Sequence, residues 1–260
     1  MKKQSHNYVL ITGGSKGIGS ALAQQFAQRN NNLILVARSK KELAITAEKL
    51  ITTYDITVKI FACDLSLATA VSSLVSFLKK ENCTVTTLIN NAGFGNLSAF
   101  AAADTTKLIE MIHVNITALT QLTRELLPAM LQKKQGHIVN IASTAAFLPG
   151  PYMAVYFATK AYVLSLGEAL AVELENTGVS ITTICPGPTE TNFSKRASNK
   201  NISFFENAMS VDAVATQAYK AISKRKGTFI PGLKNKPIAL LSKLIPRNIL
   251  AKIVGSIQRT

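Results

Sequence analysis

Short runs of apolar and β-branched residues alternate along the chain with stretches whose apolar positions recur every three to four residues. The strand-like runs fall at 8–12, 33–37, 57–63, 85–90, 137–143, 179–185 and, briefly, 228–230. Helix-period segments lie between them, near 17–30, 40–53, 67–80, 106–133, 154–176 and 211–225. The early strands are apolar throughout instead of alternating with polar residues, which predicts a sheet buried on both faces and therefore parallel. Right-handed crossovers then lead to an α/β fold with a doubly wound parallel sheet in three layers. Ligands bind such a sheet at the carboxyl ends of its strands, near the switch in strand order. No Pro-, Gly- or Ser-rich linker splits the chain. Residues 1–236 therefore read as one domain. A polar stretch with interspersed aromatics near 192–210 reads as a lid over the site, and 237–260 as a helical tail.

The first strand runs into TGGSKGIGSAL, where Gly13, Gly17 and Gly19 clear side chains from a strand–turn–helix junction. The unpaired N–H groups and positive dipole end of the following helix then suit a phosphate, with Ser15, Lys16, Gly17 and Ile18 facing it. The spacing is Gly-x3-Gly-x-Gly, not the common Gly-x-Gly-x2-Gly, so the turn alone leaves a ligand-free βα junction open. At the end of the second strand stands Arg38, followed by Ser39, where a carboxylate would hold ribose hydroxyls. A guanidinium there grips a 2′-phosphate instead, and Lys16 adds a second cation, which favours NADP(H) over NAD(H). The alternative is two ordinary surface charges. Asp64, with Leu65 beside it, either meets an adenine amino group or caps the next helix. Asn91, Ala92 and Gly93 end the fourth strand and either lie against a ribose or make a structural turn.

Strand 137–143 delivers Ser143, and Tyr156 and Lys160 follow at i and i+4 on one helix face. An unperturbed phenol titrates near 10, too high for acid–base work at neutral pH. An ammonium a few Å away is worth roughly 3–4 kcal/mol, on the order of two to three pKa units, and is expected to bring Tyr156 into range. Cys185-Pro-Gly-Pro-Thr-Glu-Thr191 then makes a stiff turn in which Thr189 and Thr191 offer hydroxyls to a cofactor.

Charge adds one feature. The net charge is +15, and residues 195–260 hold 13 Lys/Arg against 2 Asp/Glu. An anionic membrane surface, an acidic partner or a phosphorylated ligand are the candidates for that end, alongside a merely solvated face. In the tail, Leu241, Leu244, Ile245, Ile249, Leu250, Ile253, Val254 and Ile257 recur at helical spacing around Pro246. They predict two short amphipathic helices, which pack on the domain or a second subunit, lie on a membrane, or roof a pocket. No recognition-helix pattern or aromatic platform accompanies the basic residues, so nucleic acid is not expected. Three scattered cysteines, Cys63, Cys83 and Cys185, lack metal or redox spacing. His113 and His137 likewise have no metal set, and no metal is expected. With no apolar h-region at the N-terminus, the expected location is the cytoplasm, with peripheral membrane contact through the tail.

TGGSKGIG, NNAG, Asn115, Ser143, Tyr156-x3-Lys160 and PGPTET, in that order, resemble the short-chain dehydrogenase/reductase family in its NADP(H)-using form, over about residues 8–230. The resemblance implies a Rossmann-like fold and hydride transfer between a nicotinamide and a carbonyl or secondary alcohol. It implies Tyr156 as acid/base, Ser143 as the group that polarises the substrate oxygen, and Lys160 on Tyr156 and the nicotinamide ribose. Asn115 would bend its helix and hold a water in the proton relay. Pro186, Gly187, Thr189 and Thr191 join the cofactor set. The family also implies a small-molecule substrate and a homodimer or homotetramer built on helices 106–133 and 154–176. A catalytically idle nucleotide-binding protein on the same fold is the competing expectation.

Overall fold

The computed structural model describes residues 6–191 and 208–258. Seven parallel strands form one sheet: β1 (Asn7–Thr12), β2 (Asn32–Ala37), β3 (Val58–Ala62), β4 (Thr84–Asn90), β5 (Gly136–Ile141), β6 (Val179–Ile184) and β7 (Thr228–Phe229). Their order is β3-β2-β1-β4-β5-β6-β7, so the chain reverses direction across the sheet between β1 and β4. Connecting helices are α1 (Gly17–Ala27), α2 (Lys40–Thr53), α3 (Ala70–Lys80), α4 (Thr105–Ile112), α5 (Ala118–Gln132), α6 (Ala154–Glu173) and α7 (Val211–Ser223). Two tail helices follow, α8 (Lys236–Leu244) and α9 (Arg247–Gln258).

The apolar strands supply both helical layers because successive side chains point to opposite faces. Ile34, Leu10, Leu88, Ile138 and Ile181 align across five strands, and all face the layer that also holds Leu74 of α3 and Leu122 of α5. Their neighbours Leu35, Ile11, Ile89 and Val139 align in the same way and face Leu22 of α1, Leu43 of α2 and Ala218 of α7. A fully buried aliphatic side chain contributes about 1.5–3 kcal/mol, so these two rows fix the register of the sheet. Among the described residues α6 alone is long and apolar enough to cross a membrane. Instead it packs along β5 and β6 with Val163 and Leu164 buried, as a core helix.

The expected helix 106–133 differs from what forms. It is three pieces: α4, a π-helical turn over His113–Thr117, and α5. The 3.6-residue period persists through a π-turn with only a local shift, so the pattern of apolar residues did not mark it. Thr189 and Met209 form a parallel bridge, and Met209 N–H donates to Pro188 O at 2.9 Å, which joins the two ends of the expected lid. The body of that lid, 192–207, lies outside the described residues.

Candidate active site

The carboxyl ends of β1 to β6 open into one cleft of about 1230 Å³, lined from the glycine turn at one end to Tyr156 and the tail residue Gln258 at the other. At the first end Gly13 and Gly17 both take positive φ, 66° and 57°, which only glycine adopts without strain. A Cβ on Gly19 would run into the Gly13 carbonyl, so this glycine lets α1 close on the turn. Lys16 occupies the N-cap of α1 without a side-chain cap, and the first N–H groups of the helix are left for an anion. Thr191 sits over Gly17, with its methyl 3.3 Å from where a Gly17 Cβ would stand.

Thr12 ties this turn to the next strand end. Its hydroxyl accepts from the Asn91 and Ala92 N–H groups, both at 3.0 Å, and donates to Ile89 O. The Asn91 carboxamide donates to the Thr12 and Gly13 carbonyls at 2.9 and 3.3 Å. Of the two readings of Asn91, the structural one therefore describes its side chain, although the residue still lines the cleft with Ala92 and Gly93.

Arg38, Ser39, Asp64 and Leu65 line the same end. The Arg38 guanidinium is largely exposed and stands 3.9 Å from Asp64. Asp64 in turn accepts from the backbone N–H and hydroxyl of Ser66, at 3.0 and 2.8 Å, which closes a local turn; it does not cap the next helix, whose N-cap is Thr69. Ser39 accepts from the Glu42 N–H at 3.3 Å and caps α2. Lys16, expected as a free second cation, forms an ion pair with Glu42. The i+3 acid of a capping box answers for that pairing.

The chemistry-bearing residues meet at the other end. Ser143 follows β5 in extended backbone, donates to Pro186 O at 3.3 Å and accepts from Ala145 N–H at 3.1 Å. Its hydroxyl is also hydrogen-bonded to the Tyr156 phenol. Tyr156 and Lys160 are both buried on α6, one turn apart. The Lys160 ammonium donates to Ile141 O at 2.9 Å and lies 5.8 Å from the Tyr156 ring centre.

Here the expected tuning is corrected. Burial pushes the phenol up to about 12, and the bond to Ser143 offsets only part of that rise. The same burial pushes Lys160 down to about 8, with Cys185 beside it acting the other way. A dry pocket penalises both charged forms, and at this separation the ammonium does not overcome the loss of water around the phenol.

Asn115 sits in the π-helical turn and is fully buried. Its carbonyl oxygen accepts from Phe94 N–H at 3.1 Å, and its amide donates to Phe94 O and to the Thr159 hydroxyl, both at 3.0 Å. The local bend is as expected. Both amide hydrogens are committed to protein, however, so the side chain braces the Phe94 loop against α6 and has no donor left for a relay water. A Cβ on Gly93 would lie 3.1 Å from the Asn115 carboxamide oxygen and 3.3 Å from Lys160 Nζ, so this loop closes directly over both.

Pro186, Gly187, Thr189 and Thr191 line the cleft as expected, with Thr189 donating to Gly187 O at 3.0 Å. His113 meets Ser66 O, and His137 meets the Thr182 hydroxyl, each at 2.9 Å, which leaves both structural. No group of metal-ligating residues occurs among the described residues. The sequence reading missed Thr12, Thr159, Glu42 and Gln258. Thr12 and Thr159 stand inside motifs that were recognised, but a threonine in a strand or helix carries no periodicity signal. Gln258 continues the buried stripe Leu250–Val254 by one further turn.

The comparisons agree with this geometry. The short chain dehydrogenase family model matches residues 7–202. An uncharacterized oxidoreductase of Staphylococcus epidermidis is 30% identical over 191 residues, 74% of this chain and 81% of that protein. The human inactive hydroxysteroid dehydrogenase-like protein 1 is 30% identical over 71% of this chain and 56% of its own. Among solved structures, a short-chain dehydrogenase from Sphingobium yanoikuyae in complex with NADPH superposes with a TM-score of 0.83 at 33% identity, covering 92% of this chain and 93% of that one. The bulky-bulky ketone specific alcohol dehydrogenase from Comamonas testosteroni follows with 0.77 at 29% identity, covering 92% and 95%. A matching fold and a family model over three quarters of the length lead to one statement: this chain belongs to the short-chain dehydrogenase family of oxidoreductases.

Proposed function

We propose that the protein is an NADPH-dependent carbonyl reductase acting on apolar ketones. The observation that carries the reading is the hydrogen bond between the Ser143 and Tyr156 hydroxyls, in the same cleft as the glycine turn and Arg38. Glycines whose added Cβ atoms would collide with the turn, and an uncapped helix start, fit a pyrophosphate. Arg38 would hold the 2′-phosphate, and Asp64 and Leu65 would flank the adenine. Asn91 to Gly93 would border the ribose, and Pro186 to Thr191 the carboxamide. The bound nicotinamide supplies the hydride.

The chain's own residues manage the proton. Tyr156, protonated at neutral pH, would donate to the substrate oxygen, and a phenol pushed up to about 12 is a reluctant acid that needs support for the anion it leaves. Ser143 would hydrogen-bond the substrate oxygen. Lys160 would stabilise the phenolate left behind. Phe94, Leu97, Ala145, Met153 and Phe157 line the substrate end and favour an apolar body.

The test is NADPH oxidation with a panel of bulky ketones and aldehydes. Tyr156→Phe is expected to lower kcat by about 10²–10⁴ while NADPH binding is retained. The idle-binder reading has a relative named inactive in its favour. Tight NADPH binding with no turnover of any panel member, in wild type and variant alike, would establish it instead.

A further inference from the structure

The tail helices carry more apolar surface than the domain uses. In α9, Leu250, Val254 and Gln258 recur every fourth residue and are buried, with Val254 packed among Met111, Met153, Tyr156 and Phe157. The preceding residues Ile249, Ile253 and Ile257 form a second stripe one position round the helix, and all three are exposed. On α8, Leu240, Leu241 and Leu244 are exposed as well, Leu244 to 72%, and Leu233 just before the helix reaches 80%. A helix that only packed on its own domain would need one apolar face. The last helix, α9, has a second, and α8 buries none of its apolar residues fully.

Lys234, Lys236, Lys243, Arg247 and Lys252 accompany these residues, all exposed, and no Asp or Glu occurs between Pro231 and Gln258. We propose that α8 and α9 dock this protein on an anionic lipid surface, with Leu240, Leu244, Ile249, Ile253 and Ile257 entering the interface and the lysines and Arg247 meeting the headgroups. Charge complementarity selects the occupant. A second copy seated here would set five cations against five, whereas an anionic bilayer neutralises them and takes up the aliphatic side chains. Because α9 also walls the cleft through Gln258, and its Val254 packs behind Tyr156 and Phe157, the docked face and the substrate end share one helix.

The test is sedimentation of the full chain with vesicles, which needs no turnover and stands or falls independently of the reductase reading. Equal parts of phosphatidylcholine and phosphatidylglycerol should carry the protein down, and phosphatidylcholine alone should not. Lys243→Gln, Arg247→Gln and Lys252→Gln should each weaken partition about fivefold, and together about a hundredfold. The pair Leu244→Glu and Ile253→Glu should abolish it at low salt. Far-ultraviolet circular dichroism and a cooperative melt show that each variant is folded, and the charge variants carry the test if the glutamate pair does not fold. Failure of wild type to sediment with the anionic vesicles would overturn the proposal. So would vesicle binding unchanged by the glutamate pair, which would show that the aliphatic side chains do not enter the lipid. Loss of self-association in that pair, without vesicle binding in wild type, would assign the face to a second copy.

Discussion

At the scale of single residues, the two sites differ in how openly they were written. Arg38 stands out in the sequence because a strand end followed by a cation has one position and one charge to interpret, and the structure places it on the cleft. Its consequence is direct: Arg38→Asp should weaken NADPH by about tenfold and raise the relative preference for NADH, since it replaces a charge-assisted bond to the 2′-phosphate with repulsion. Fluorescence titration with both cofactors reads this, and unchanged preference would remove Arg38 from the 2′-phosphate. Lys16 was less legible, because the competing anion, Glu42, lies on a different helix. The Tyr156–Lys160 pair was legible as geometry and not as electrostatics, since spacing shows that two groups are close but not how much water both have lost. The sign of the pH effect follows from that loss. Lys160, pushed down to about 8, is an ammonium below that pH and neutral above it, while Tyr156, pushed up to about 12, keeps its proton throughout. Reductive kcat/KM with NADPH limiting should therefore fall as pH rises through about 8, as the phenolate loses its supporting charge. A pH profile that stays level up to pH 9.5 in wild type, or the same fall in Lys160→Met, would contradict it.

At the scale of elements, strands and most helices followed from periodicity, and the ends moved by only a few residues because capping is local chemistry. Ser39, Asp104 and Ser210 each accept from a first-turn N–H, and α2, α4 and α7 begin there. The break in the long helix was different. A π-turn inserts without changing which residues are apolar, and its signature is a buried Asn115 whose partners, Phe94 and Thr159, lie on other elements. Thr159 is the joint of that assembly: its hydroxyl accepts from Asn115 and donates to the Tyr156 carbonyl at 2.7 Å. Thr159→Val keeps the shape but leaves a buried amide hydrogen unpaired, which should cost about 1–3 kcal/mol. Thr159→Ser should restore most of it. Urea unfolding midpoints at constant m-value measure both, and a valine variant as stable as wild type would mean the amide finds another partner.

At the scale of the whole molecule, the topology was open to reading because all-apolar strands joined by helices admit few arrangements, whereas the tail was not. Its two apolar stripes look alike in one dimension, and only packing against Met153 and Phe157 tells the buried one from the exposed one. The cleft, by contrast, belongs to the sheet as a whole. Its walls come from the ends of strands on both sides of the reversal between β1 and β4, with Arg38 after β2, Asp64 after β3, Ser143 after β5 and Pro186 after β6. A dinucleotide lying along it would touch both halves of the sheet at once and would be lost when either half opens. Unfolding must therefore release the ligand, and native stability should rise by RT ln(1 + [L]/Kd), about 2.7 kcal/mol at a hundred times Kd. For a chain of this size each kcal/mol moves Tm by about 2–4 °C, so saturating NADPH should raise the melting temperature by about 5–10 °C in one cooperative step. NADH at equal concentration should give a smaller rise, the difference vanishing in Arg38→Asp. Calorimetry that split the transition in two, with NADPH raising only one of them, would show that the halves unfold separately and that the cofactor does not bridge them.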